Sequence, residues 1–146
     1  PLIRGLDGKQ KMSKSLDNHI ELAISPEETR KRVGRAFTDP QRLKKEDPGN
    51  PLICNVYSLH KYFNPDKLDD IYSRCTSADI GCVEDKEILS TGINEMLREF
   101  REKRGELASK PNYVSEILIE GAERARSIAQ QTLSEVRERM GISQSI

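Results

Sequence analysis

The sequence contains no tryptophan, and aromatic residues make up only 5% of it. It has no apolar run near the ~18 residues that a membrane span needs, and no signal peptide is visible. Its three cysteines are too few for a disulfide framework and leave one thiol unpaired. These absences argue against a membrane or secreted protein and predict a cytoplasmic protein with reduced thiols.

The sequence also lacks an excess of charge of either sign. Its 24 basic and 24 acidic residues give a formal net charge of +0. Nucleic-acid binders usually carry a basic excess, so any RNA contact must come from local clusters of lysine and arginine. The 35% hydrophobic and 33% charged residues are typical of helices with a single apolar stripe. A length of 146 residues suffices for one domain with its own core.

Apolar spacing predicts an all-α bundle of about five helices. Ser25 as cap, Pro26 at the first position and Glu28 as the partner in a capping box predict a helix that runs to Phe37. Four further helical stretches are expected; they start near Pro51, Pro65, residue 83 and Asn112. Gly121 is a point where the last of these could kink or split. The alternation of Ile20, Leu22 and Ile24 with polar or small residues predicts a short strand before the bundle.

A lysine-rich loop precedes this strand. Gly5 to Gln10 are too glycine-rich for a stable helix, and Lys11-Met12-Ser13-Lys14-Ser15 follows them. Two ammonium groups beside small hydroxyls on a mobile loop suit a polyphosphate ligand. For an isolated pair of lysines at this spacing, a solvated surface is the more ordinary interpretation.

The five residues from Lys11 to Ser15 resemble the second signature motif of class I aminoacyl-tRNA synthetases. Other segments look like the bacterial tryptophanyl-tRNA synthetase family, so that the resemblance covers nearly the whole chain. These segments are Thr38-Asp39-Pro40, Asp47 to Pro51, Cys54 to Tyr57, Leu59-His60, Gly81-Cys82 with Lys86, Gly121-Ala122, and Glu135-Val136-Arg137 to Met140-Gly141.

This resemblance implies a class I tryptophan–tRNA ligase, which activates tryptophan with ATP and Mg²⁺ and transfers it to tRNA(Trp). It implies that Lys11 and Lys14 neutralise charge on the departing pyrophosphate, with Met12, Ser13 and Ser15 completing the nucleotide loop. The first class I signature is not in the chain, so we expect a C-terminal portion of the enzyme, inactive when isolated. The parent enzyme is expected to be a homodimer.

The resemblance also implies two domains. Residues 1–24 would be the C-terminal edge of a Rossmann-type catalytic domain that carries the signature loop, and residues 25–146 a helical domain that binds the anticodon. The tryptophan pocket would lie outside this chain. The alternative is a non-catalytic helical module that binds tRNA or protein and retains the loop as a relic.

Two basic clusters have more than one interpretation. Lys31, Arg32 and Arg35 could contact the tRNA backbone, or they could offset the helix dipole and stay solvated. A second cluster alternates with glutamates, which predicts a solvated face with pairs at i,i+4; its basic members are Arg98, Arg101, Lys103 and Arg104.

The cysteines raise the question of a metal site. Some enzymes of the resembled family hold a [4Fe–4S] cluster with four cysteines, and Cys54, Cys75 and Cys82 follow a similar layout. The fourth position is Asp85, whereas four thiolates are the usual complement. The competing interpretation is that these thiols are small buried hydrophobes. We expect the three cysteines to lie near one another.

Overall fold

The computed structural model describes residues 2–142, which form five α-helices and no strand beyond one isolated bridge. The helices are α1 (Pro26–Gly34), α2 (Asn55–Phe63), α3 (Leu68–Thr76), α4 (Cys82–Ala108) and α5 (Pro111–Arg139). Short 3₁₀ turns lie at Lys14–Leu16 and Pro65–Lys67. The all-α prediction is therefore confirmed. The chain divides into two compact units, Pro1–Glu102 and Lys103–Ile146.

Helix α1 begins as its local sequence predicts. The Ser25 hydroxyl accepts a hydrogen bond from the Glu28 amide at 3.1 Å, and Pro26 takes the first helical position. The helix ends at Gly34 rather than at Phe37. The reason is tertiary, because the Phe37 amide donates to the Leu6 carbonyl at 2.8 Å instead of continuing the helical ladder.

The predicted strand near residues 20–24 is wrong. The Ile24 amide donates to the Glu21 carbonyl at 3.4 Å, which marks a turn, and Leu22 is exposed. A half-buried strand needs a neighbour for its backbone groups, and the structure supplies none here within residues 2–142.

Two helix predictions also change. Helix α2 starts at Asn55 and not at Pro51. The Ile53 amide donates to the Asn50 carbonyl at 3.3 Å and the Cys54 amide to the Pro51 carbonyl at 3.2 Å, so this segment forms a tight turn before the helix. Helix α5 runs through Gly121 without interruption. A single glycine lowers helix stability by only about 1 kcal/mol, which is a small loss for a helix of 29 residues.

The core of the first unit joins the N-terminal segment to the helices. Half-buried Ile3 and Met12 pack against it, so the lysine-rich loop shares a core with α1, α2 and α4. The domain boundary near residue 24 stays a prediction. The buried members of this core are Leu6, Val33, Ala36, Cys54, Val56, Leu59, Leu89 and Ile93.

Polar side chains of α4 fasten it to α1. Arg101 donates to the Leu22 carbonyl at 3.1 Å, to Asn94 Oδ1 at 2.7 Å and to Thr29 Oγ1 at 2.9 Å. Lys86 donates to the Gly34 carbonyl at 2.9 Å. Arg101 is thus a structural link, and the prediction that it belongs to a solvated face is wrong. For Arg98 and Lys103 the predicted glutamate pairs are confirmed.

In the second unit, α5 has no buried residue among those described. Lys110 and Lys103 both bind Glu106, at 3.0 Å and 2.8 Å. Gly141 follows the helix with a φ of 68°, a conformation that glycine adopts without strain. No helix within residues 2–142 combines the length and apolar character that crossing a membrane would require.

A buried histidine joins α2 to α4. His60 is fully buried; its Nε2 lies 3.0 Å from Asp85 Oδ1, and its Nδ1 lies 2.9 Å from the Asn64 amide nitrogen. Since Asn64 Nδ2 can only donate, His60 Nδ1 accepts from it, and the His60 Nε2–H donates to Asp85 Oδ1. Asn64 also donates to the Ile88 carbonyl at 3.3 Å. Every polar atom of the ring is therefore paired inside the core.

We expect Asp85→Ala to lower the free energy of unfolding by about 1–3 kcal/mol, because it leaves the His60 N–H buried without an acceptor. Asp85→Asn keeps an acceptor oxygen and should cost less. Glu84→Ala is the matched control, since it removes only an exposed ion pair with Arg74, worth about 1 kcal/mol at most. Urea denaturation measures all three variants, and equal losses for Asp85→Ala and Glu84→Ala would contradict the assignment.

Candidate functional site

The lysine-rich loop is a hydrogen-bonded hairpin. Arg4 and Lys11 form an antiparallel bridge, and the Met12 amide donates to the Ile3 carbonyl at 3.0 Å. The Gly5 amide donates to the Gln10 carbonyl at 2.7 Å, so the segment between them closes as a turn. Gly8 lies in this turn with a φ of 71°, which glycine tolerates best. The predicted loop thus has a defined backbone path.

Asn18 fills the inside of this hairpin. It is 4% exposed, and its Oδ1 accepts from the Ser13 amide at 2.8 Å. Its Nδ2 donates to Asp7 Oδ2 at 3.1 Å and to the Lys11 carbonyl at 3.2 Å. The sequence does not reveal this role of Asn18, because nothing in the local pattern shows which loop atoms the amide meets.

Gly5 provides the space for Asn18 and a link to α2. A Cβ at position 5 would lie 2.3 Å from Asn18 Nδ2, so only glycine permits the packing. The Gly5 carbonyl accepts from the buried Asn55 side chain at 2.8 Å. Since Asn55 is the first residue of α2, the start of that helix fixes the hairpin from outside.

The signature side chains divide into exposed cations and an apolar anchor. Lys11 and Lys14 are exposed, and neither forms an ion pair with an acidic residue in the described range. Met12 between them packs against the core. The hydroxyls of Ser13 and Ser15 lie 2.8 Å apart and share a hydrogen bond. Two ammonium groups are therefore held outside the core and available to a ligand.

Arg4 and Lys9 extend the positive charge on the outer face of the hairpin. Together with Lys11 they line a shallow hollow of ≈130 Å³, whose other lining residues, Leu2, Ile3 and Gln10, are uncharged. Arg4 does not stand out in the sequence, because it lies seven positions before Lys11 and meets it only through the hairpin. Three cations and no carboxylate line the hollow itself, which favours an anionic ligand, although Asp7 lies next to Lys9.

Helix α1 approaches the loop from its other side. Arg32 donates to Asp17 Oδ1 at 2.9 Å and to the His19 carbonyl at 3.2 Å, so its guanidinium is engaged within the molecule. Lys31 lies 3.7 Å from Glu28, whereas Arg35 has no ion pair within residues 2–142. The structure thus places Lys31 and Arg32 on α1 and Arg35 directly after its end. Of these three predicted RNA contacts, Arg32 is the one held by a close ion pair within the molecule.

A cleft of ≈240 Å³ separates α1 from the loop. Arg32 and Arg35 contribute two positive charges to its lining. Three carboxylates balance them, those of Asp7, Asp17 and Glu28. This mixed lining does not favour a phosphate, in contrast to the hollow on the outer face.

The cysteines do not form a metal site. Among residues 2–142, no three His, Cys, Asp or Glu side chains are arranged to hold a metal ion. Burial raises the pKa of the Cys54 and Cys75 thiols. Asp85, the residue at the fourth ligand position, is bound to His60. The predicted [4Fe–4S] cluster on Cys54, Cys75 and Cys82 is therefore unsupported.

Comparisons with known proteins agree with the resemblance seen in the sequence. The family model described as tRNA synthetases class I (W and Y) matches residues 1–98. Tryptophan–tRNA ligases of Aquifex aeolicus and Thermotoga maritima are 43% and 37% identical over 97% of this chain. The chain spans only 36% and 44% of their lengths.

A solved structure extends this agreement to the fold. Tryptophanyl-tRNA synthetase from Campylobacter jejuni, complexed with ADP and tryptophan, aligns with a TM-score of 0.86 at 32% identity. The alignment covers 97% of this chain and 44% of that one. The similarity to tryptophanyl-tRNA synthetases predicted from the sequence is confirmed.

The Asp7 carboxylate offers a test of the hairpin geometry. The Lys9 backbone N–H and then the Asn18 amide hold the pKa of Asp7 below its ordinary value of 3.8. Because the folded pKa is lowered, these bonds stabilise the hairpin above the ordinary pKa, and their contribution is lost as the pH falls through the lowered one.

In Asn18→Ala we expect the Asp7 pKa to rise toward 3.8 but to stay below it, since the Lys9 N–H remains. An NMR titration of the Asp7 side-chain carboxyl carbon measures the shift, with Asn112→Ala at an exposed asparagine as the control. An Asp7 pKa at the ordinary value in the unmodified chain would show that the loop is not closed in this way.

Proposed function

Because this chain belongs to the class I tRNA synthetases of the tryptophan and tyrosine group, we propose that it serves as the C-terminal part of a tryptophan–tRNA ligase. Such an enzyme joins tryptophan to AMP from ATP and passes it to tRNA(Trp). The observation that carries the proposal is the pair of exposed ammonium groups, Lys11 and Lys14, on a hairpin held at a defined geometry. The names of the similar proteins point to the same reaction.

In this proposal the two lysines act on charge that develops during the reaction. When the tryptophan carboxylate attacks the α-phosphate of ATP, negative charge grows on the departing pyrophosphate. Ammonium groups without an internal carboxylate partner stabilise that charge in the transition state more than in the ground state, which raises the rate. The Ser13 and Ser15 hydroxyls can donate to phosphate oxygens, and Met12 anchors the loop. Mg²⁺ would come bound to the ATP phosphates, and no residue of this chain is assigned to it.

The helical region from residue 25 onward is proposed to bind tRNA(Trp) at the anticodon. Lys31 and Arg35 are exposed on the last turn of α1 and at its end, where a phosphate backbone could reach them. Arg32 is a weaker candidate, since Asp17 already holds it. The proposed enzyme would work as a homodimer in the cytoplasm, where tRNA is charged.

A chimera tests the proposal against the non-catalytic module. The segment of the Aquifex aeolicus ligase that aligns over 144 residues would be replaced by this chain. We expect the chimera to catalyse tryptophan-dependent exchange of pyrophosphate into ATP, and the isolated chain to show none. A folded chimera without exchange that still binds tRNA would favour the module instead. If the isolated chain catalysed pyrophosphate exchange, the tryptophan pocket and the rest of the active site could not lie in another segment of the enzyme, which would contradict the proposal.

Within the active chimera, Lys14→Ala should slow adenylate formation by ~10²-fold or more, because the lost charge acts in the transition state. Lys67→Ala removes the same charge from an exposed turn remote in sequence and should leave the rate unchanged. Pre-steady-state measurement of adenylate gives the rate. A raised KM for ATP at an unchanged rate would mean that Lys14 serves only ground-state binding.

A further inference from the structure

Asn18 uses its side-chain hydrogen-bonding groups to hold the signature loop at three points. Asp7 Oδ2 and the Lys11 carbonyl can only accept, and the Ser13 amide can only donate. The position therefore requires two donors and an acceptor on one short side chain, which is the inventory of asparagine. Aspartate has the same shape but cannot donate when ionised, and it would place a second carboxylate beside Asp7.

These bonds close the backbone on both sides of Met12. The Lys11 carbonyl is held just before it and the Ser13 amide just after it. From Ser13 the chain makes the 3₁₀ turn Lys14–Leu16, in which the Asp17 amide donates to the Lys14 carbonyl at 3.2 Å. Asp17 then adopts a φ of 48° and returns the chain to Asn18. Residues 13–18 thus form a closed ring that carries Lys14 at its rim.

We propose that Asn18 is the positioning residue of the signature loop: its amide sets the backbone from which Lys14, and with it Lys11, reaches the pyrophosphate. The effect on catalysis rests on the proposed function, whereas the role of Asn18 in holding the loop backbone does not. Asn18 is buried beneath the loop and would touch neither ATP nor tryptophan, so it acts through the lysines. Loss of the amide should misplace the ammonium groups while the helical core stays intact.

The structural part is tested on the 146-residue chain itself. Amide hydrogen exchange should show Ser13 protected in the unmodified chain and exchanging at least about tenfold faster in Asn18→Asp, with the Leu59 amide in α2 unaffected. The reason is that Asp7 and the Lys11 carbonyl, both acceptors, repel the new carboxylate and draw it away from the Ser13 N–H. Asn112→Asp adds the same charge at an exposed site and is the control. Asn18→Ala makes the same test without added charge, should Asn18→Asp fail to fold. An unchanged Ser13 rate in a folded variant would overturn the inference.

Swapping the side chains of residues 7 and 18 should restore part of the loop structure. In the double variant Asp7→Asn, Asn18→Asp, the amide at residue 7 donates to the carboxylate at residue 18, which is no longer repelled from that side and can again accept from Ser13. Part of the Ser13 protection should return, although the bond to the Lys11 carbonyl is lost. Protection no higher than in Asn18→Asp alone would contradict the proposed pairing.

The catalytic part is tested by a double-mutant cycle in the ligase chimera. Asn18→Asp should lower the adenylate-formation rate by about 10- to 10²-fold, as expected for misplaced catalytic groups, with little change in KM for tryptophan. In a Lys14→Ala background the same substitution should lower the rate by less than about threefold, because the main route of action, through Lys14, is gone and only Lys11 remains to be positioned. Equal losses in both backgrounds would refute positioning through Lys14. If the chimera without any of these substitutions is inactive, the proposed function is refuted, whereas the hydrogen-exchange result for Ser13 remains valid.

Discussion

A loop that presents lysines to solvent must still satisfy its own backbone N–H and C=O groups, and here one buried side chain binds two of them, the Lys11 carbonyl and the Ser13 N–H. The Asn18 amide binds the loop at Asp7, Lys11 and Ser13. This packing exists only because position 5 carries no side chain, since a Cβ there would collide with the amide. The glycine that seemed to make the loop mobile is therefore what allows it to be held.

The helices complete this arrangement from outside. Asn55 at the start of α2 binds the Gly5 carbonyl, Arg32 of α1 binds Asp17, and Met12 packs into the core that the helices share. These polar and apolar anchors fix the backbone, while Lys11 and Lys14 remain exposed. A geometry set before the ligand arrives costs no reorganisation during the reaction, which is how fixed charges contribute most to catalysis.

Sequence predicted those features that depend on neighbouring residues. The Ser25 and Pro26 start of α1 is local chemistry and is confirmed, as are the helical class and the glutamate pairs of Arg98 and Lys103. The prediction of a strand near residues 20–24 is wrong because a strand needs a neighbouring strand to pair with, and the spacing of apolar residues does not reveal whether one exists. The predicted start of α2 is wrong because residues 50–54 form a tight turn, which apolar spacing does not distinguish from the first turn of a helix.

The same distinction between local patterns and distant contacts applies to the candidate site. The signature lysines were visible as a motif, whereas Arg4, Asn55 and the anchoring role of Asn18 arise from contacts between distant positions. Cysteine spacing suggested a cluster, but spacing does not fix the direction of side chains, and Asp85 serves a buried histidine instead. Tertiary pairing, which a single sequence does not record, decided each of these cases.

In the structure this chain builds the loop in a fixed shape from its own residues. The ¹⁵N relaxation of the 146-residue chain without ligand measures that rigidity. We predict backbone order parameters near the rigid value of about 0.85 for Lys11, Met12 and Ser13, comparable to those of α2. Values below about 0.6 at these residues, with the helices remaining rigid, would show a loop that Asn18 does not hold and would contradict the account.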